Sequence, residues 1–249
     1  MTSSIRLATW NIHGAIGRDG RHDIRRILDV LHEVDADVIA LQEVASLGLE
    51  QGLLQAVRSD LGMQVVTGRT LTRRNADYGN ALLSRHPVGH SASIDLTVGR
   101  HEPRNAIDAR VACGHCEVRV VATHLGLRPA ERRLQVKRLL AALETGPLGA
   151  CVVMGDLNEW YLWGRPLRWL HAKFAVTRPP STFPARRPML KLDRIWAHPT
   201  SALTSLRAHG TTLARVASDH LPLVATYALA PATSVQTPAP LPSTAQSTP

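Results

Sequence analysis

Apolar and polar positions alternate from Ile5 to Ile12 in "IRLATWNI", the period-two pattern of a half-buried strand. The period then lengthens. In "RHDIRRILDVLHEV", Ile24, Ile27, Leu28, Leu31 and Val34 recur at helical spacing, and "DADVIALQEV" returns to a buried strand ending at Glu43. A second helix is expected over about Leu47 to Leu61, followed by the short strand-like pieces "QVVTG", "GNALLS", "SIDLTV", "AIDARVA" and "EVRVVATH". Their close spacing between turn residues predicts antiparallel meandering. Pro129 suits the first turn of a helix that sets Val136, Leu139, Leu140 and Leu143 on one face, and "ACVVMGD" reads as another buried strand. "LDRIWAH", "LTSLRAH" and "LPLVATYAL" complete the strands. Many strands and few helices in mixed order predict an α/β sandwich, two sheets packed face to face and flanked by helices, in one domain over residues 1–230. The Pro/Ser/Thr/Ala-rich, uncharged stretch 231–249 has too little to bury and is expected to be disordered.

Composition narrows the class. The 44% hydrophobic content is ordinary for a globular chain, and no apolar run reaches the roughly 18 to 20 residues that span a bilayer. "MTSSIRLATWNIHG" carries no apolar leader core behind a basic start, so a cytoplasmic location is expected. Three cysteines, Cys113, Cys116 and Cys151, do not suit a disulfide framework. "CGHC" sits between two strand patterns and reads as a hairpin turn, not as a zinc or redox pair. The formal charge of +9, from 29 Lys+Arg against 20 Asp+Glu, favours anionic partners: nucleic acid, phosphorylated small molecules or lipid headgroups.

The chemistry gathers at strand ends. Asn11 ends the first strand and Glu43 the second; His124 follows "RVVAT", Asp156 and Asn158 follow "CVVMG", Asp193 opens "LDRIWAH", and Asp219 and His220 precede the last strand. Because strand side chains repeat every two residues, Asp156 and Asn158 are expected on one side. A single strand-end Asp or Asn is ordinary turn chemistry. Six separate segments delivering a carboxylate, carboxamide or imidazole at an apolar boundary are a constellation.

In order, "TWNIHG", "LQEV", "GNALLSRHPV", "THLGL", "GDLNEW", "LDRIW" and "SDHLPL" resemble the endonuclease/exonuclease/phosphatase superfamily of metal-dependent phosphodiesterases, over about residues 5 to 228. "HEPRNA", "THLGLRPAERRLQ" and "TFPARRPMLKLDRI" look most like its small bacterial members and their lipid-remodelling relatives. The resemblance implies a deoxyribonuclease I-like four-layer α/β sandwich with two packed mixed β-sheets. It implies Mg²⁺ or Mn²⁺ as cofactor, with Glu43 as principal ligand and Asn11 and Asp219 beside it. It further implies Asp156 as the group that orients and deprotonates water, with Asn158, His124 and His220 as phosphate contacts.

Accessory residues follow less directly. Arg104 is a bidentate phosphate donor or a partner of Glu102; Asn80 buttresses the site or satisfies a turn; Asp193 and Arg187, with Arg186 and Lys191, lie where an anionic substrate would arrive. Trp160, Tyr161, Trp163 and Trp169 suit base stacking, a lipid interface or plain packing. The expectation is a monomeric phosphodiesterase or nuclease acting on an anionic phosphate ester, in the cytoplasm or peripherally at a membrane. A lipid-headgroup phosphodiesterase and a noncatalytic binding module of the same fold are the alternatives.

Overall fold

The alternation starting at Ile5 forms β1 (Ser4–Asn11), and the Asp23 carboxylate accepts the Arg26 backbone N–H to start α1 (Ile24–Val34). The structure, a computed structural model, describes residues 3–45, 52–73, 76–145 and 148–230. The tail 231–249 and the first residues of the helix expected from Leu47 lie outside these; the rest of that helix is α2 (Leu53–Leu61).

Among the described residues, eleven strands build two sheets. The six-stranded sheet contains β1, β2 (Val38–Ala45), β3 (Gln64–Arg73), β4 (Ala76–Ser84), β10 (Leu203–Ala208) and β11 (Leu223–Ala228), in the order β10-β11-β1-β2-β4-β3. The five-stranded sheet runs β5 (Val88–Asp95), β6 (Asn105–Cys113), β7 (Cys116–His124), β8 (Cys151–Asp156) and β9 (Asp193–His198). Each sheet is mixed: β1 with β2 and β7 with β8 are parallel, and the other pairs are antiparallel. Four layers result. Ile5, Leu7, Val38, Ala40 and Leu82 meet Ile107, Val120, Val152, Met154 and Ile195 between the sheets, each of these side chains larger than alanine contributing about 1.5–3 kcal/mol. α1 and α2 cover the outer face of the first sheet; α3 (Pro129–Leu143) and α4 (Arg165–Phe174) cover that of the second.

Two differences have local causes. The strand expected over "SIDLTV" lies earlier, at β5, because the Asp95 side chain accepts the Thr97 N–H and turns the chain out of the sheet. α4 and α5 (Thr212–Ala217) escape a periodicity reading: both are short, and α4 follows a loop rich in Trp and Gly. The "CGHC" segment is a hairpin. Cys113 pairs with Cys116 across the β6–β7 turn, Gly114 takes φ 64°, and the three cysteines are free thiols.

Candidate active site

The parity that buries Ile5 and Leu7 between the sheets also sends Thr9 and Asn11 there, at the strand's end. In the other sheet, Val120 and Ala122 lead to His124, Val152 and Met154 to Asp156, and Asp193 leads into Ile195. His124 pairs with Asp156 and Asp156 with Asp193 in the strand register, so three neighbouring strands end in one polar row. The row needs a close approach. Gly155 has φ 154°, and a Cβ there would fall on the Thr123 carbonyl.

Glu43 breaks the parity rule. Ile39 and Leu41 face the helices, so alternation would turn Glu43 outward with them. A register shift between Leu41 and Val44 and a left-handed φ of 56° at Glu43 turn its carboxylate to the site, where Oε1 accepts Asn11 Nδ2 at 3.0 Å. Asn158 lies beyond the end of β8 and also has a left-handed φ, 50°, so a turn closed by its N–H on Asp156, and not the period-two alternation expected on sequence, brings its amide to the cluster. Non-glycine residues held in this region are strained, and two of them flanking one polar cluster mark it as the place where geometry outweighs local preference.

Asp156 is the hub. Its Oδ2 accepts Asn11 Nδ2 at 3.1 Å and lies 3.6 Å from both His124 Nε2 and His220 Nε2, while its Oδ1 accepts the Asn158 backbone N–H at 2.8 Å. Burial, reinforced by the charge of Asp193 and opposed by His220, pushes the Asp156 carboxyl up to about 6. Burial alone would lower His220. The Asp193 and Asp156 charges, with a 2.8 Å bond from Nδ1 to Asp193 Oδ2, instead carry it up to about 10, so the ring is an imidazolium at neutral pH. Trp10 Nε1 donates to the His220 carbonyl at 2.9 Å, and the Phe183 ring lies 4.8 Å from the imidazole, fixing its place.

His124 takes the opposite state. Burial, then the Arg104 and His220 charges, hold it well below the usual range, and it is neutral. Arg104 has no acceptor, so at 3.1 Å the His124 Nδ1 accepts and the ring proton sits on Nε2. That nitrogen faces Asp156, Glu43 Oε1 at 4.0 Å and the Asn158 amide at 3.0 Å. The same Asn158 Nδ2 donates to the Leu125 carbonyl at 2.9 Å, so it meets the protonated Nε2 nitrogen to nitrogen, and the acceptor that the Nε2–H faces is Asp156 Oδ2.

The accessory residues separate. Asp193, grouped on sequence with the substrate contacts, is instead fully buried behind His220, with Thr182 Oγ1 donating at 2.5 Å to the oxygen that bonds the imidazole, so it does not reach the surface where a substrate would arrive. Asn80 is buried and donates to Asn105 Oδ1 at 3.0 Å, and Asn105 in turn ties β6 to the Arg69 carbonyl, so Asn80 is a buttress. Arg104 pairs with Glu102 at 3.2 Å as well as with His124. Arg187 is exposed, and no side-chain bond joins it to the cluster among the described residues.

Sequence reading overlooked a brace. Arg132 on α3 is fully buried; its Nε and terminal nitrogen donate to both oxygens of Glu159 at 3.2 Å, and its other nitrogen donates to the Leu127 carbonyl at 2.6 Å. Gln135 accepts the Gly126 N–H at 2.8 Å. These bonds hold together the loops carrying His124 and Asn158. The signal in the sequence was "NEW", an acid directly after Asn158.

Hard cations take oxygen ligands, commonly one or two carboxylates plus water. Glu43 and Asp219 are partly exposed, at 24% and 38%, and flank Asn11, whose Oδ1 accepts the His13 N–H. Ser218 Oγ donates to the Asn11 carbonyl at 2.7 Å and lies 3.3 Å from Asp219 Oδ1, which keeps Asp219 beside Asn11. This donor set fits Mg²⁺ or Mn²⁺. A tighter trio, Asp156, Asp193 and His220, has ligand atoms within 4.8 Å of one another. It suits a cation less well, because Asp193 already holds His220 Nδ1 and an imidazolium has no free lone pair.

The profile of the Endonuclease/Exonuclease/phosphatase family matches residues 8–220. The chain belongs to that family. The Escherichia coli K12 protein named "Uncharacterized protein YbhP" is 31% identical over 243 residues, covering 89% of this chain and 95% of its own. Among solved structures, an endonuclease/exonuclease/phosphatase from Beutenbergia cavernae superposes with a TM-score of 0.73 at 24% identity, covering 91% of this chain and 72% of the other. The human Nocturnin catalytic domain, solved with a bound sulfate anion, gives 0.71 at 23% identity over 90% and 93% of the two chains. These two share the family's fold, the four-layer sandwich described above.

Proposed function

We propose that this protein hydrolyses phosphodiesters with a divalent cation, Mg²⁺ or Mn²⁺. The observation that carries the reading is the pairing, 3.6 Å apart, of a buried carboxylate raised to about 6 and an imidazolium raised to about 10. One group accepts a proton from water at neutral pH, and the other offers positive charge to a phosphate oxygen. Glu43, with Asn11 and Asp219, would hold the cation, which when bound offsets charge on the phosphate and the departing alkoxide. Asp156 orients water and takes its proton. Asn158 and neutral His124 donate to phosphate or to the nucleophile, and Asp193 keeps His220 charged and in one tautomer. Arg104 fixes the His124 tautomer.

A noncatalytic module would have no use for a buried acid held above its ordinary range, an arrangement that costs stability at neutral pH. Asp156→Ala and His220→Ala are each expected to abolish cation-dependent hydrolysis of bis(p-nitrophenyl) phosphate while near-UV circular dichroism stays native. Turnover that survives both substitutions, or that is indifferent to a chelator, would sink the mechanism. The charge of +9 supports an anionic polymer or surface as the natural partner, nucleic acid or lipid headgroup.

A further inference from the structure

Nine large apolar side chains are exposed among the described residues; Ile16, Val176 and Met189 stand apart, and the other six gather. Among the described residues, Leu127, Leu134, Trp160, Tyr161, Leu162 and Trp163 belong to the two segments that leave the catalytic strand ends of β7 and β8. Leu127 follows His124 by three residues and is 59% exposed; Leu162 and Trp163 follow Asn158 by four and five and are 56% and 74% exposed. Monomeric surfaces rarely gather such groups without an interaction to serve.

The patch stands on a rigid base. The buried Arg132 donates to the Leu127 carbonyl and to Glu159, and its guanidinium lies 5.5 Å from the Trp160 ring centroid, so one side chain joins both segments. Glu159 also accepts the Tyr161 N–H at 3.1 Å, and the turn closes with Gly164 N–H donating to the Tyr161 carbonyl at 2.8 Å. Tyr161 and Trp163 pack with ring centroids 5.8 Å apart. The projecting turn is therefore held in shape before any partner arrives.

Charge surrounds it. Arg133, Arg165 and Arg168 line a groove of about 470 Å³ with Tyr161 and Trp163, and none of the three makes an ion pair among the described residues. Aromatics with arginines also suit single-stranded nucleic acid, where bases stack on the rings. Leu162 between the rings and Leu127, tied to the same turn through Arg132, argue against that partner, since an aliphatic side chain offers no stacking face. Exposed leucines and Trp and Tyr rings together, with arginines beside them, form the pattern of an interfacial anchor.

We propose that the Leu127 and Trp160–Trp163 rim docks on the surface of a bilayer containing anionic phospholipid, turning the catalytic mouth toward the headgroup plane. The inference deepens the proposed phosphodiesterase activity by naming where its substrate lies, and it rests on that activity only for this consequence. Docking itself needs no turnover. The test is sedimentation of the full chain, in the presence of a chelator, with vesicles of equal parts phosphatidylcholine and phosphatidylglycerol and with vesicles of phosphatidylcholine alone.

The wild type is expected in the pellet with mixed vesicles only. Leu162→Glu with Trp163→Ala should weaken that binding by about tenfold or more. The same double variant should keep its melting temperature and its rate on bis(p-nitrophenyl) phosphate, because neither side chain touches the cluster around Asp156. Brominated phosphatidylcholine in the mixed vesicles should quench wild-type tryptophan fluorescence, and Trp163→Phe should reduce the quenching. Wild type remaining in the supernatant, or a double variant that sediments as well as wild type, would overturn docking. So would a single-stranded oligonucleotide that binds through Leu162 and Trp163 while vesicles do not. Loss of bis(p-nitrophenyl) phosphate hydrolysis in the wild type with docking intact would count against the catalytic reading alone.

Discussion

Replacing Asp193 by Asn keeps the volume behind His220 and removes the charge that makes it an imidazolium. The proposed mechanism needs Asp156 ionised and His220 protonated, so kcat/KM should form a plateau with limbs near 6 and near 10. The rise of His220 from 6.5 to about 10 corresponds to about 5 kcal/mol of preference for the charged ring. Asp193 supplies the largest favourable part, through charge and through the 2.8 Å bond to Nδ1. With Asn there, burial is opposed chiefly by Asp156, and the alkaline limb should fall to the ordinary histidine range or below. A ring with a pKa of about 6.5 is about 3% protonated at pH 8, a loss of about thirty-fold in rate from protonation alone. At the acid limb, burial still raises Asp156, while loss of the Asp193 charge lowers it and loss of charge on His220 raises it, so these two changes oppose each other. The assay is the pH dependence of bis(p-nitrophenyl) phosphate hydrolysis at saturating Mn²⁺, with the His220 ring nitrogens followed by NMR. The same protonation stabilises the fold: its contribution is complete below about pH 6.5 and is lost as pH rises through about 10. An Asp193→Asn enzyme whose alkaline limb coincides with that of the wild type would refute the assignment of Asp193 as the group that charges His220.

Glu159→Ala strands the fully buried Arg132 without its carboxylate and should cost about 3–5 kcal/mol, lowering the melting temperature by about 10 °C in calorimetry. Replacing both residues by well-packed apolar ones should recover much of that loss, and a double variant as unstable as the single one would contradict the brace. Gly155→Ala places a methyl on the Thr123 carbonyl in a strand buried on both faces, so a loss of about 3 kcal/mol or failure to fold is expected in urea titrations. Burial pushes Cys113 up to about 11 and Cys151 up to about 12, so iodoacetamide at pH 8 should label Cys116 alone in the native protein; mass spectrometry of peptides checks this.

The strand ends were readable because alternation is a local property. The parity of Ile5 and Leu7 extends to Asn11, and that of Val152 and Met154 to Asp156, so the face of each residue followed from its neighbours in the chain. The hairpin at Cys113–Cys116 and the helix begun by Pro129 were readable for the same reason. Parity failed at Glu43, where pairing with β4 inserts a bulge and turns the side chain to the opposite face. It was silent on Thr182, which bonds Asp193, and on Phe183, which packs on His220, both from a loop with no period of its own.

What the sequence determined by itself is the alternation of core and polar positions, and with it the set of chemical groups delivered to strand ends. What only the tertiary structure decided is the state of those groups. Asp156 and His124 lose water to burial while His220 gains two carboxylates, one of them from a strand 27 residues away, and these opposing effects leave an acid raised, one imidazole neutral and the other charged. Desolvation and charge act through space over a few ångströms, a distance that chain order does not encode.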